Sequence, residues 1–125
     1  MTPPSETDQQ RDGGDAEKIA LGYLRKNGLV LIEKNFRCRG GEIDLIMKNS
    51  GGLVFAEVRF RASGTEDALY SISKGKRRRI RKATLIFLQK NPSLANLPIR
   101  FDVLAIGGST MNPEIHWVAD AFQDE

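Results

Sequence analysis

The sequence has one cysteine, Cys38, and one histidine, His116. A lone thiol excludes an internal disulfide, and one cysteine with one distant histidine excludes a Cys/His zinc cluster, so any metal must be held by oxygen. Long apolar runs are also missing, since no stretch approaches the roughly 18 apolar residues of a membrane span. The first fifteen residues, MTPPSETDQQRDGGD, are polar and lack the apolar centre of a secretory signal. The expected location is therefore the cytoplasm, with no membrane partner. Aromatics make up 7% of the chain, and Phe36, Phe55 and Phe60 fall in strand-like segments, which leaves no stacking platform for single-stranded nucleic acid.

Acidic residues are absent from one stretch. Residues 72–82, ISKGKRRRIRK, place Lys74, Lys76, Arg77, Arg78, Arg79, Arg81 and Lys82 together without an acid. Of the 19 basic residues those seven sit here, leaving 12 against 16 acidic ones elsewhere. The positive charge is thus local, and because no apolar insertion face accompanies it, it suits a nucleic acid better than a membrane surface.

What remains is the composition of one ordinary domain, with 125 residues, 40% hydrophobic and 28% charged. Residues 1–13 have too little apolar content to pack and are expected to form a flexible tail, with a single domain over 14–125. Ala16, Ile19, Ala20, Tyr23 and Leu24 recur at helical spacing, with Asp15 as an N-cap and Gly28 as the stop. Residues 29–36 read as a first strand. Residues 42–48 and 53–60 read as two more, joined by Asn49, Ser50, Gly51 and Gly52, a hairpin signal. A loop is expected over 61–68. A helix follows over 73–90, with Ile80, Ala83, Thr84, Phe87 and Leu88 on one face, ended by Asn91 and Pro92. Residues 99–106 and 114–118 complete the set as strands. His116 and Trp117 belong to the last of these as an edge strand and are assigned no role. The expectation is an α/β domain built on a central mixed five-stranded sheet flanked by helices.

The hairpin register has a chemical consequence. Either loop length available at residues 49–52 sets Asp44 opposite Glu57 and Glu42 opposite Arg59, with all four side chains on one face. Opposed positions hold their Cβ atoms about 4.5 to 5.5 Å apart, where like charges repel. A hard divalent cation would offset that repulsion, and magnesium takes one or two carboxylates while keeping water and phosphate oxygens. A partly solvated cross-strand salt network, with Arg59 pairing Glu42, explains the same spacing. Spacing alone leaves the two readings level.

The strings GGEIDLI (residues 40–46) and VFAEVRFR (residues 54–61) resemble the D…E-x-K pattern of the PD-(D/E)XK nuclease superfamily. More closely, the chain resembles the YraN-like family of small bacterial proteins, on GEIDLI, on the VFVEVK-like strand, on a later RFDV at residues 100–103, and on GDAEKIALGYL, NFRCRGG and the 74–83 helix. The resemblance implies a restriction-endonuclease-like fold similar to that of Holliday junction resolvases. It implies Asp44 and Glu57 as ligands of Mg2+ or Mn2+, with the Val58 carbonyl as an additional ligand, and Glu17 as a helix acid facing the metal. A glutamate in a first helical turn is favoured by the macrodipole whatever its function, so Glu17 has a purely structural alternative.

Arg59 stands where the superfamily has lysine. Arginine orients water and stabilises negative charge but is effectively never deprotonated, which argues against a general-base role and leaves a non-catalytic binding protein as the alternative. The expected function is a divalent-metal-dependent endonuclease on duplex or branched DNA. A nucleic-acid-binding or repair-complex adaptor that keeps the nuclease fold is the second reading. Resolvase-like relatives act as dimers, so a homodimer is a further expectation, with Phe60 and Leu69 as exposed apolar candidates. Basic residues oppose the macrodipole at the start of the 73–90 helix, so stability does not account for Lys74, Lys76 and Arg77, whereas phosphate binding does. Arg78, Arg81 and Lys82 extend that surface, and Arg37, Arg39 and Arg61 flank it from the strand ends.

Overall fold

A computed structural model describes residues 6–122, with side chains from Gly14 onward. The first helix, α1 (Glu6–Lys26), begins before the expected start at Gly14. Asp15 consequently lies inside the helix rather than capping it. The expected tail over 1–13 concerns side chains outside the described residues. Ala16, Ala20 and Leu24, four apart, form the buried stripe. Gly28, at φ 89, closes the helix, with its N–H donating to the Arg25 carbonyl and that of Leu29 to the Leu24 carbonyl. This double closure satisfies the last carbonyls and needs a left-handed residue that glycine adopts without strain.

Five strands follow the expected order: β1 (Val30–Cys38), β2 (Gly41–Lys48), β3 (Leu53–Arg61), β4 (Ile99–Gly108) and β5 (Pro113–Val118). They form one sheet in the order β1-β2-β3-β4-β5. Only β3 and β4 run parallel. That pair is joined by a crossover containing α2 (Thr65–Tyr70) and α3 (Lys74–Lys90). The sheet is mixed and flanked by the three helices of the described residues, a restriction-endonuclease-like core.

The helix α2 replaces the loop expected over 61–68. Six residues carry less than two turns of periodicity, too little to read as a pattern. Glu66 and Asp67 in its first turn suit the positive end of the helix dipole, and Ala68 is its buried residue. The helix α3 matches expectation closely. Ser73 caps it, its Oγ accepting from the Lys76 N–H at 3.1 Å, and Asn91 at φ −130 ends it before Pro92.

Each face of the sheet carries its own core. Ala16, Ala20 and Leu24 of α1 pack with Leu45, Met47, Val54, Ala56, Leu104 and Ile106. On the other face Ile80, Ala83 and Phe87 of α3 pack with Phe36, Ile46, Phe55 and Val103. Phe87 sits edge-on to Phe36 and Phe55, with centroids 5.4 and 5.9 Å away. Burying such a ring contributes about 2 to 3 kcal/mol. Phe60 and Leu69, expected as exposed, are half-buried and pack against these two cores. No helix among the described residues is long and apolar enough to cross a membrane.

Candidate functional site

The site is built around the β2–β3 hairpin. Asn49 fixes the turn, its Oδ1 accepting from the N–H groups of Gly51 at 2.8 Å and Gly52 at 2.7 Å. The resulting register runs from Lys48 opposite Leu53 to Leu45 opposite Ala56, as the turn predicts. Regular pairing stops there, one position short of Asp44 and Glu57. Asp44 instead uses its side chain, and its Oδ2 accepts from the Val58 N–H at 2.8 Å.

Side-chain alternation slips at the same point. Leu45 joins the core under α1, whereas Ile43, two residues earlier, joins the core under α3. On the neighbouring β1, Asn35 takes a left-handed φ of 55 between the pairs Lys34–Leu45 and Phe36–Ile43. The expectation that Glu42, Asp44, Glu57 and Arg59 share one face is therefore corrected. Glu42, Glu57 and Arg59 lie toward α3. Asp44, where the alternation slips, meets Glu57, and its charge also reaches Glu17 on α1.

This placement leaves two acids in a costly environment. Glu57 is 2% exposed and its Oε2 has no hydrogen-bond partner. Burial, and next the charge of Asp44, push the Glu57 carboxyl up to about 8. Asp44 is raised as well, mainly by burial, against the opposing effect of the Val58 N–H. The two carboxyls are close enough that each shifts the other's titration. Glu17 is raised by burial and by Asp44. With its N–H group turned to that carboxylate, the Asn35 amide donates to both Glu17 oxygens at 3.2 Å.

Three cationic side chains frame the acids. Lys76 Nζ lies 2.7 Å from Glu42 Oε1 and 3.5 Å from Glu57 Oε1. Arg59 Nη1 is 3.7 Å from Glu57 Oε1, while its Nε donates to Ser71 Oγ at 2.8 Å. Arg59 thus does not pair with Glu42, the partner that the salt-network reading required. Glu42 is taken by Lys76, whose hydrogen bond holds that carboxyl below its usual range, and Arg37 stands 4.0 Å from it. Among the described residues no group of three or more acidic, histidine or cysteine side chains is arranged to hold a metal.

The remaining basic candidates divide in two. Arg37, Arg39, Arg61, Lys74, Arg78 and Lys82 are exposed. Arg77 and Arg81 turn back onto the protein: Arg77 lies over the Phe122 ring, and Arg81 donates to the Phe122 carbonyl at 3.1 Å and lies over the Phe101 ring. Asp102, fully buried on β4, is a structural hub. It accepts from Arg100 Nε at 3.0 Å, Trp117 Nε1 at 2.8 Å and the Asp120 N–H at 2.9 Å. Sequence reasoning missed Asn35 and Ser71, whose positioning of Glu17 and Arg59 leaves no mark in composition or spacing.

Comparison with known proteins bears on this constellation. The profile of the uncharacterised protein family UPF0102 matches residues 16–106. The chain belongs to this family. A UPF0102 protein of Pseudomonas putida strain GB-1 is 44% identical over 115 residues, covering 90% of this chain and 94% of its own. One from Nitrosococcus oceani is 41% identical over 126 residues, covering 100% and 99%. A third, from Legionella pneumophila, is 44% identical over 114 residues, covering 90% and 95%. The region matched by the UPF0102 profile contains Glu17, Asp44, Glu57, Arg59 and Lys76 together.

Proposed function

We propose that the protein is a divalent-metal-dependent nuclease acting on phosphodiesters of duplex or branched DNA. One observation carries this reading. Asp44 and Glu57 are held against each other in a mostly buried setting, with an oxygen of Glu57 unsatisfied, beside a helix that begins with a run of cations. Such a pair is unfavourable in isolation and favourable around a hard cation.

The donor set suits Mg2+ or Mn2+ with two protein carboxylates, the remaining positions falling to water and phosphate oxygens. Asp44 and Glu57 would hold the ion, with Asp44 already oriented by the Val58 N–H. When bound, the ion supplies an acidified water and neutralises phosphate charge. Arg59, fixed by Ser71, stabilises negative charge near Glu57. The exposed Lys74, Arg78 and Lys82 on α3, with Arg37, Arg39 and Arg61 at the strand ends, contact backbone phosphates, which sets affinity rather than sequence preference.

The test is calorimetric titration of Mn2+ into the wild type and Asp44→Ala, alongside nicking of duplex and four-way-junction DNA. Metal binding and nicking that both vanish in Asp44→Ala support the reading; a wild type with neither rejects it. A second reading is favoured by the ion pairs of Lys76 and Arg59 with Glu57, which partly neutralise the site without a metal. It makes the protein a nucleic-acid-binding adaptor, and predicts DNA affinity that survives Asp44→Ala and Glu57→Ala.

A further inference from the structure

Seven basic residues crowd the start of α3, and one of them behaves differently from the rest. The Lys76 side chain is 16% exposed, and its ammonium points toward the sheet, into the acids of β2 and β3. Two features of the chain bring it there. Ser73 caps the helix through the Lys76 N–H itself, which fixes the first turn. Gly41 at the start of β2 has no side chain, and a Cβ there would collide with the Arg79 carbonyl and crowd Ala83. The helix backbone therefore approaches β2 closely.

Glu42 completes the arrangement. Its Oε1 holds Lys76 Nζ at 2.7 Å, so the ammonium stays within 3.5 Å of Glu57 Oε1 rather than sampling solvent. The strand position two residues after Glu57, where the superfamily pattern has lysine, is filled by Arg59, whose Nε is committed to Ser71 and whose Nη1 stands farther from Glu57, at 3.7 Å. A compact donor-only cation on a flexible stem is thus present at the carboxylate pair, delivered from the helix rather than from the strand.

We propose that Lys76, positioned by Glu42, contacts the phosphate oxygen brought to Asp44 and Glu57 and takes the electrostatic part that a strand lysine would play. This inference rests on the nuclease reading above. In the hydrolysis, a water oxygen bonds to phosphorus and gives up a proton to solvent, the bond to the leaving ester oxygen breaks, and the leaving oxygen takes up a proton from solvent. Lys76 keeps its own proton throughout and stabilises the negative charge that builds on the phosphate oxygens.

A purely structural Lys76, present only to neutralise Glu57, makes different predictions. Three variants, Lys76→Ala, Lys76→Arg and the double variant Lys76→Ala with Arg59→Lys, are compared with the wild type. Each is assayed for Mn2+ affinity, for nicking in Mn2+, and for junction affinity in Ca2+ and in chelator. Lys76→Ala is expected to bind Mn2+ at least as tightly as wild type, to nick about 100-fold more slowly, and to lose DNA affinity in Ca2+ but not in chelator. Lys76→Arg retains part of the activity, and Arg59→Lys restores part of it in the double variant.

Nicking by Lys76→Ala at the wild-type rate overturns the role of Lys76 and leaves the nuclease reading intact. A wild type that binds no Mn2+ removes the nuclease reading and this inference together. Should the wild type bind Mn2+ without nicking, the junction affinities decide: a Ca2+-dependent loss in Lys76→Ala supports the phosphate contact, and an equal loss in chelator overturns it. If Lys76→Ala fails to fold, Lys76→Arg carries the same test: slower nicking with junction affinity lost in Ca2+ but not in chelator supports the contact, and nicking at the wild-type rate, or an affinity loss equal in both, overturns it.

Discussion

Replacing Glu57 by glutamine should change how the stability of the protein depends on pH. Glu57 is 2% exposed, and its carboxyl is raised from 4.5 to about 8 by burial and by Asp44. The folded chain therefore holds this proton over a pH range in which the unfolded chain has released it. Stability associated with the protonated carboxyl is complete below pH about 4.5 and falls as pH rises toward about 8. At about 1.4 kcal/mol per pH unit the shift sets a ceiling of about 5 kcal/mol. The Asp44 carboxyl is raised beside it, and Lys76 and Arg59 stand ready to receive the charge, so a loss of about 2 kcal/mol is the expected size. The glutamine keeps the shape and a donor toward Asp44 but cannot ionise. Urea unfolding followed by the fluorescence of Trp117, in chelator from about pH 5 to about pH 9, measures both proteins across the window of this titration. The advantage of Glu57→Gln over wild type should grow across that range, and Mn2+ at about pH 8 should restore the wild type while leaving the variant unchanged. A difference between the two proteins that does not grow with pH would refute the reasoning.

Asp102→Ala leaves Arg100, Trp117 Nε1 and the Asp120 N–H without their buried acceptor, and should lower stability by about 3 kcal/mol, read as a fall in Tm. Phe87→Ala opens a cavity between Phe36 and Phe55 and should lower stability by about 3 to 5 kcal/mol without touching a site residue, measured by denaturant unfolding. Neutralising Arg78 and Lys82, which are exposed, should weaken DNA binding uniformly across sequences and reduce the slope of log affinity against log salt by about 0.9 for each phosphate no longer neutralised. Arg81→Ala, by contrast, removes a hydrogen bond to the Phe122 carbonyl and should affect the melting temperature more than that slope.

The fold was legible because its signals are local and repeated. Asn49 with two following glycines announced the hairpin and its register, and the apolar periodicity of α3 announced its buried face and its end. What escaped was short or relational. The six residues of α2 hold too few turns to show a period, and their placement depends on packing against β3 and β4. The slip in alternation at Asp44 lies opposite Asn35, on another strand, which adopts a left-handed conformation that asparagine tolerates but does not advertise.

The same distinction governs the site. Asp44 and Glu57 could be brought together from sequence because a hairpin converts spacing into register, although the ladder stops one position short of them and Asp44 leaves the expected face. Lys76 could not, since nothing in KGKRRRIRK separates one cation from its neighbours until the helix is docked. Docking selects it by rotation: on α3, Ile80, Ala83, Thr84 and Phe87 face the core, and Lys76, one turn before Ile80, falls on that same side at the edge of the sheet where the acids are. Arg78, Arg79 and Lys82 lie off that stripe and remain exposed. The basic run therefore merges in composition what the fold separates: a solvent-facing set, Arg77 and Arg81 turned onto Phe122, and one cation beside Glu57; on the proposed reading the first meets the DNA backbone and the last the reacting phosphate. A sequence that kept the total charge but moved lysine from position 76 to 75 would preserve the first and lose the last.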